Sequence, residues 1–277
     1  MTNDEFLLKI LIKVYFFKKI SEIRHLSFVI RHFPVYTGNM PNVTLSSLDK
    51  KYDGIAAVLD FNLEIADAEF VVLCGPPGAG KSAVLRLIAG LEKQDGGEIR
   101  IGGEILSGGA KERDIAMMFQ NFGLFAAKSV YDNLAYPLKI RKVPREEIRT
   151  RVLEAAEKTG VSPALLSLKP KKLSAEESKR VQLARSVLRK PKLFLLDEPL
   201  LGLEPDAQER LTAKILQLHS ELNIPFVFAT IEPETAMRLN KRTVVMTGGV
   251  IRQIGTPDEI LKNPKDEFVR LFFEEPV

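Results

Sequence analysis

Two short stretches hold the residue types that could do chemistry. The first, GPPGAGKS from Gly75 to Ser82, fits the pattern G-x-x-x-x-G-K-[ST]. Its glycines let the backbone curl, so that the N–H groups of Gly75, Pro76, Pro77, Gly78, Ala79 and Gly80 (the prolines aside) converge on one concavity fit for phosphate oxygens. A helix following directly adds its positive N-terminal end. Lys81 is then placed to reach the β- and γ-phosphates of a nucleoside triphosphate, and the Ser82 hydroxyl to ligate the magnesium ion bridging them. The second stretch, LFLLDEP from Leu193 to Pro199, is an apolar run ending in two acids. Asp197 can enter the magnesium shell and Glu198 can polarise an attacking water. An acidic pair at a strand end is common by itself; the phosphate loop upstream gives it a use.

These residues need elements to hold them. Phe70 to Cys74 reads as a buried strand feeding the loop, and Val84, Leu87, Ile88 and Leu91 recur at helical spacing behind it. Strand patterns before and after Asp53-Gly54 predict a hairpin from Met40 to Ile65, with Tyr52 beside the turn and placed to stack on an adenine face. Glycine pairs between residues 96 and 109 punctuate short strands of a small antiparallel layer. Asp114 to Phe119 is a further strand, and Gln120 at its tip is placed either to touch a metal or water or to cap the strand.

Residues 121 to 184 look helical, with Ile148, Val152, Leu153 and Ala156 on one face and a stop at Gly160, and they lie between two core strands as an inserted subdomain would. A helix over Asp206 to Leu222, with its apolar face on Leu211, Ile215, Leu218 and Leu222, and strands near 225–230 and 243–246 complete the expectation. The fold class expected is a RecA-like P-loop α/β core with an antiparallel β-subdomain and an inserted helical subdomain.

The composition is that of an ordinary globular chain: 277 residues, 45% hydrophobic, 27% charged, net charge +4. The charge is modest and basic residues are spread along the chain, so charge by itself does not argue for nucleic acid, and no nucleic-acid partner is expected. The lone Cys74 has no partner for an intrachain disulfide; it suits a reducing compartment and core packing. Residues 1–39 read differently from the rest. Phe6 to Phe17 is apolar, yet short and interrupted by Lys9 and Lys13, so it does not span a bilayer. Two readings stay open: a helix lying on a membrane surface, or a non-native upstream start with the domain, residues 40–277, opening at Met40. No small-residue cleavage site marks a signal peptide.

Tyr52, GPPGAGKS, FQN at 119–121, LARS at 183–186 and LFLLDEP, in this order, resemble the ATP-binding subunits of ABC transporters from about Met40 to Val277. RDIAMMFQNFGLF, SVYDNLAYPLKIRKV and IGTPDEILKNP look most like prokaryotic importer ATPases of the sugar and osmolyte type. The C-terminal regulatory β-domain many of those carry is not expected here. The resemblance implies ATP and Mg2+ as cofactors, transmembrane permease subunits, a second ATP-binding subunit and a solute-binding protein as partners, and a place on the cytoplasmic face of the membrane. It puts Tyr52 at the adenine, Lys81 and Ser82 at phosphate and magnesium, and Gln120 in the loop that senses magnesium and the permease. Asp197 falls on magnesium, Glu198 on the catalytic base, and Ala83 where a threonine usually contacts the α-phosphate.

Other positions depart from the family. LSGGQ is replaced by LSAEE, Leu173 to Glu177, in which Ser174 and Glu177 form an S-x-x-E capping box that satisfies helix N–H groups within the chain. Glu176 is expected to face the triphosphate bound by a second subunit, and unit charges about 5 Å apart at an effective dielectric near 20 repel by roughly 3 kcal/mol. The switch histidine is replaced by Ile231, whose side chain can neither donate a hydrogen bond nor orient water, and His219 is expected at the surface. Leu201 to Glu204 and Phe125 to Lys128 also leave the family pattern. Turnover as a homodimer is therefore expected to be slow, which makes a regulatory subunit with degenerate chemistry the alternative to an active transport ATPase. A soluble relative acting on ribosomes or nucleic acid would carry a second cassette or a coiled-coil insertion, and a kinase would leave Gln120 and the helical insert without a role.

Overall fold

The computed structural model describes residues 42–106, 109, 113–120 and 123–274. The segment 1–39 with its Phe6–Phe17 run, and Asn121 of FQN, lie outside the described residues.

The chain enters through β1 (Val43–Tyr52) and returns antiparallel along β2 (Ile55–Ile65), Tyr52 pairing with Ile55 across the Asp53-Gly54 turn. Asp53 and Gly54 both have positive φ, the backbone hand that closes a two-residue hairpin without splaying its strands. The fully buried β3 (Phe70–Cys74) leads into the glycine loop and α1 (Lys81–Ala89). Gly90, at φ +68°, stops α1 and lets its N–H close on Leu87. Leu91 therefore falls beyond the helix and is 46% exposed, unlike its expected place on the apolar stripe. β4 (Gly96–Ile101) and β5 (Glu104–Ile105) join the hairpin in a four-stranded antiparallel sheet of order β2-β1-β4-β5.

After β6 (Ile115–Met118) come three helices, α2 (Val130–Ile140), α3 (Arg145–Thr159) and α4 (Ala175–Val187), before β7 (Leu193–Asp197). β6 and β7 are parallel neighbours, so the helices form a true insert with a core of their own, built from Leu134, Leu138, Ile148, Val152, Val181 and Ala184. On α3 the buried face is Ile148, Val152, Ala155, Ala156 and Thr159, and Leu153 turns outward at 43% exposed, because one residue from Val152 is 100° around the helix.

The chain then forms α5 (Pro205–Leu222), β8 (Phe226–Thr230), α6 (Pro233–Leu239), β9 (Arg242–Thr247), β10 (Val250–Gly255), α7 (Pro257–Lys262) and α8 (Glu267–Glu274). The second sheet runs β10-β9-β3-β8-β7-β6, parallel except for β10. On α5, Leu211, Ile215 and Leu218 are buried and Leu222 is half-buried. His219 is not the free surface residue expected: its Nε2 lies 2.8 Å from the Ala68 carbonyl oxygen, and the Phe70 and Phe226 rings meet it edge-on. One core joins both sheets, with Val84, Leu87 and Ile88 of α1 packed among Val43, Leu45 and Phe61 on one side and Leu73, Leu195 and Val227 on the other. That packing holds α1 rigidly, which matters because its N-terminus carries the glycine loop. Among the described residues no helix is long and apolar enough to cross a membrane.

Candidate nucleotide site

The carboxyl ends of β3, β7 and β8 lie side by side, and the chemistry-bearing residues leave from these ends. Such an edge is where ligands bind in parallel α/β sheets. The loop after β3 is pinned by Gly75 N–H donating to Thr230 O at 3.3 Å and Gly249 N–H donating to Ala79 O at 3.1 Å. Gly80 takes φ +101°, and a Cβ there would sit 2.2 Å from the Ala57 carbonyl oxygen, so neither the backbone nor the space admits a side chain. α1 begins with no side-chain cap and no acid in its first turn, which leaves its leading N–H groups for an anion. Pro77 and Gly78, at the crest of the loop, face outward.

Lys81 is only 5% exposed. Its ammonium donates to Gly75 O at 2.7 Å and Pro76 O at 3.1 Å, and Glu198 Oε1 stands 3.6 Å away. Burial lowers its pKa while Glu198 opposes the shift. The Ser82 hydroxyl donates to Asp197 Oδ1 at 2.8 Å, joining the helix start to the end of β7 across the sheet. Burial raises the Asp197 pKa against that bond. Glu198, 6% exposed, has φ +48°, an uncommon backbone state for a glutamate. Burial pushes its carboxyl up to about 7, with Lys81 the main opposing influence. A buried carboxyl in that range is suited to accepting a proton near neutral pH.

The Ile231 side chain donates nothing, yet its backbone N–H donates to Glu198 Oε2 at 3.2 Å, so the position still orients the carboxylate. Ala83 is buried on α1 and offers no hydroxyl. Gln120 is exposed two residues beyond β6, at the edge where the Met118–Leu196 pairing also brings Asp197. Tyr52 stands at the end of β1, 39% exposed, its hydroxyl bonded to Glu92.

The S-x-x-E box on α4 forms as the sequence predicts. Glu177 N–H donates to Ser174 Oγ at 3.2 Å and Ser174 N–H to Glu177 Oε2 at 2.8 Å. Glu176 has partners that its position in the sequence did not announce. It is not a bare charge at the helix start, because Arg180 Nη2 holds its Oε1 at 2.7 Å and Arg210 Nη2 of α5 holds its Oε2 at 2.6 Å. Two guanidiniums on one carboxylate offset part of its charge.

The ABC transporter family matches residues 58–201 of this sequence, a span running from β2 through the glycine loop to the acids of β7. The chain belongs to that family. It is 41% identical over 244 residues to the trehalose/maltose import ATP-binding protein MalK of Thermococcus litoralis, covering 86% of this chain and 65% of that one. It is 43% identical over 239 residues to the sn-glycerol-3-phosphate import ATP-binding protein UgpC of Rhizobium meliloti, covering 86% and 68%. The chain thus spans about two thirds of the length of these curated relatives. Among solved structures, an ATP-binding cassette captured as a dimer in a post-hydrolysis state with ADP and Pi superposes at TM-score 0.70 and 26% identity, over 78% of this chain and 98% of that one. The α/β cassette fold expected from the sequence is the one found.

Sequence reasoning missed the groups that support these residues: Glu92 behind Tyr52, the Ile231 N–H on Glu198, and the arginines around Glu176. The Ile231 N–H is a backbone group with no residue-type signal. Arg180 stands four residues after Glu176, a helical ion-pair spacing that could have been read, whereas Glu92 and Arg210 are single charged residues without a motif, 40 residues from Tyr52 and 34 from Glu176.

Proposed function

We propose that this chain binds ATP with magnesium at the glycine loop and serves as the ATP-binding subunit of an importer for a small solute of the sugar type. It would act on the cytoplasmic face of a membrane with permease subunits, a solute-binding protein and a second ATP-binding subunit. The observation that carries the reading is the Ser82 hydroxyl on Asp197 at 2.8 Å, directly beside a buried Lys81 whose ammonium rests on loop carbonyls. No group of three or more His, Cys, Asp or Glu forms a metal cluster among the described residues. One hydroxyl and one carboxylate suit magnesium, which takes few protein ligands and completes its shell with phosphate and water.

In this reading the loop N–H groups and the N-terminus of α1 bind the phosphates. Lys81 would exchange Gly75 O and Pro76 O for phosphate oxygens, and Ser82, Asp197 and Gln120 are the residues that would hold the metal, which would neutralise phosphate charge. The bound nucleotide supplies a γ-phosphoryl group whose transfer to water yields ADP and phosphate. Glu198, held by Lys81 and the Ile231 N–H, takes the proton of that water. Tyr52 gives the nucleobase a face, while Gly75 to Gly80 and Ala83 line the path of the phosphates.

A second reading, a subunit with degenerate chemistry that gates through binding, is favoured by two observations: α4 caps itself through Ser174 and Glu177, and position 231 offers a backbone group alone. ATP turnover of the purified chain, set against Lys81→Ala, separates the two. Turnover well above the variant supports an active ATPase; binding with turnover equal to the variant supports the gating subunit. Failure to follow membranes together with a permease on fractionation would contradict both.

A further inference from the structure

The Tyr52 ring is held on two sides. On one face the Lys50 ammonium lies 5.5 Å from the ring centroid, itself fixed by the Lys93 carbonyl oxygen at 2.8 Å. At the rim the Tyr52 hydroxyl donates to Glu92 Oε2, while the other oxygen of Glu92 lies 3.5 Å from Arg86 Nη1. Arg86 is on α1, and Glu92 follows its C-terminal closure, where Leu91 N–H donates to Arg86 O at 3.0 Å. The helix that presents Lys81 and Ser82 at one end therefore fixes, at its other end, the carboxylate that grips the tyrosine. β1 is joined to the segment after α1 by Asp95 N–H on Asp49 O at 2.9 Å and Lys51 N–H on Asp95 Oδ2 at 2.7 Å, and Glu92 adds the contact made by the ring's own hydroxyl.

We propose that Glu92 is a positioning residue for nucleotide recognition: it anchors the Tyr52 hydroxyl so that the ring face turned away from Lys50 is preset as the platform for the nucleobase. The inference rests on the nucleotide reading of the glycine loop. The anchor reduces the rotamer freedom that Tyr52 loses when a base stacks, which is how preorganisation raises affinity. It acts on the base and not on the phosphates.

The discriminating comparison is calorimetric binding of magnesium ATP and of magnesium tripolyphosphate, which lacks the base, to the full chain and to Glu92→Ala, Glu92→Gln and Tyr52→Phe. Tyr52→Phe keeps the ring and leaves Glu92 on Arg86, so it removes only the anchor. The expected result is a three- to tenfold loss of ATP affinity in Glu92→Ala and Tyr52→Phe, no further loss when the two are combined, recovery in Glu92→Gln, and unchanged tripolyphosphate binding throughout. Absorbance titration adds a signature independent of nucleotide. Burial and the bond to Glu92 push the Tyr52 phenol up to about 12, and Glu92→Ala should return it toward the ordinary value near 10. Wild-type ATP affinity in Glu92→Ala and Tyr52→Phe overturns the inference alone, as does an equal loss for ATP and tripolyphosphate. Absence of binding of either ligand by the wild-type chain overturns the nucleotide reading itself, and the inference with it.

Discussion

Replacing Glu176 by glutamine should destabilise the chain, and the loss should fade with acid. The Glu176 carboxylate accepts from Arg180 on its own helix and from Arg210 on α5, and the bond from Arg210 is the main cause that holds its pKa down at about 2 against an ordinary 4.5. Taken whole, that difference is worth about 3 kcal/mol of folding free energy. The Glu176 side chain is 18% exposed and that of Arg210 55%, so solvent screening brings the expectation to about 1–2 kcal/mol. A depressed folded-state pKa stabilises above the unfolded value and loses its effect as pH falls toward the folded one. The gap between wild type and Glu176→Gln should therefore be full at pH 7, begin to close below the ordinary 4.5, and vanish near 2. Urea unfolding of both proteins at a series of pH values reads this directly. Equal stability at pH 7, or a gap that persists unchanged at pH 3, would refute the assignment of Glu176 to a bridge between α4 and α5.

Three further outcomes are expected. Gly90→Ala should lower stability by about 1–3 kcal/mol, since its φ is +68° and a Cβ would stand 2.6 Å from Arg113 Nε, and an unchanged melting temperature would contradict this. Asp197→Asn should abolish most of the magnesium dependence of ATP binding while leaving the protein folded, as seen by comparing calorimetric titrations with magnesium and with a chelator. Ile231→His should raise ATP turnover above wild type if the missing side-chain donor limits the chemistry, and a rate equal to wild type would place the limit at the α4 segment instead.

Most of what depended on neighbours in sequence was legible before the structure. Phe70 to Cys74 and Leu193 to Asp197 are continuous apolar runs, and only a strand covered on both faces has use for them. The capping box at Ser174 is a three-residue spacing with a local hydrogen-bond reason, and it forms. One misjudged position is a local stop that was overlooked, and the others depend on tertiary packing. Leu91 fits the periodicity of α1, but Gly90 ends the helix before the period can continue. His219 reads as a surface residue on α5 until the Ala68 turn arrives beside it, 151 residues away in sequence. Glu176 reads as a carboxylate facing a triphosphate because Arg210, which holds it, lies on another helix 34 residues away. Arg113 likewise carries no motif, yet its guanidinium donates to Leu87 O and Ile88 O at 2.8 Å and closes the C-terminal end of α1.

The central claim is that Gly75 to Ser82, with Asp197, forms a magnesium nucleotide site, and it meets its most direct test in calorimetric titration of the wild-type chain and Lys81→Ala with ATP, each with and without magnesium. The account predicts binding to the wild type that weakens when magnesium is removed, and at least tenfold weaker binding to Lys81→Ala. ATP binding that is indifferent both to magnesium and to Lys81 would contradict it.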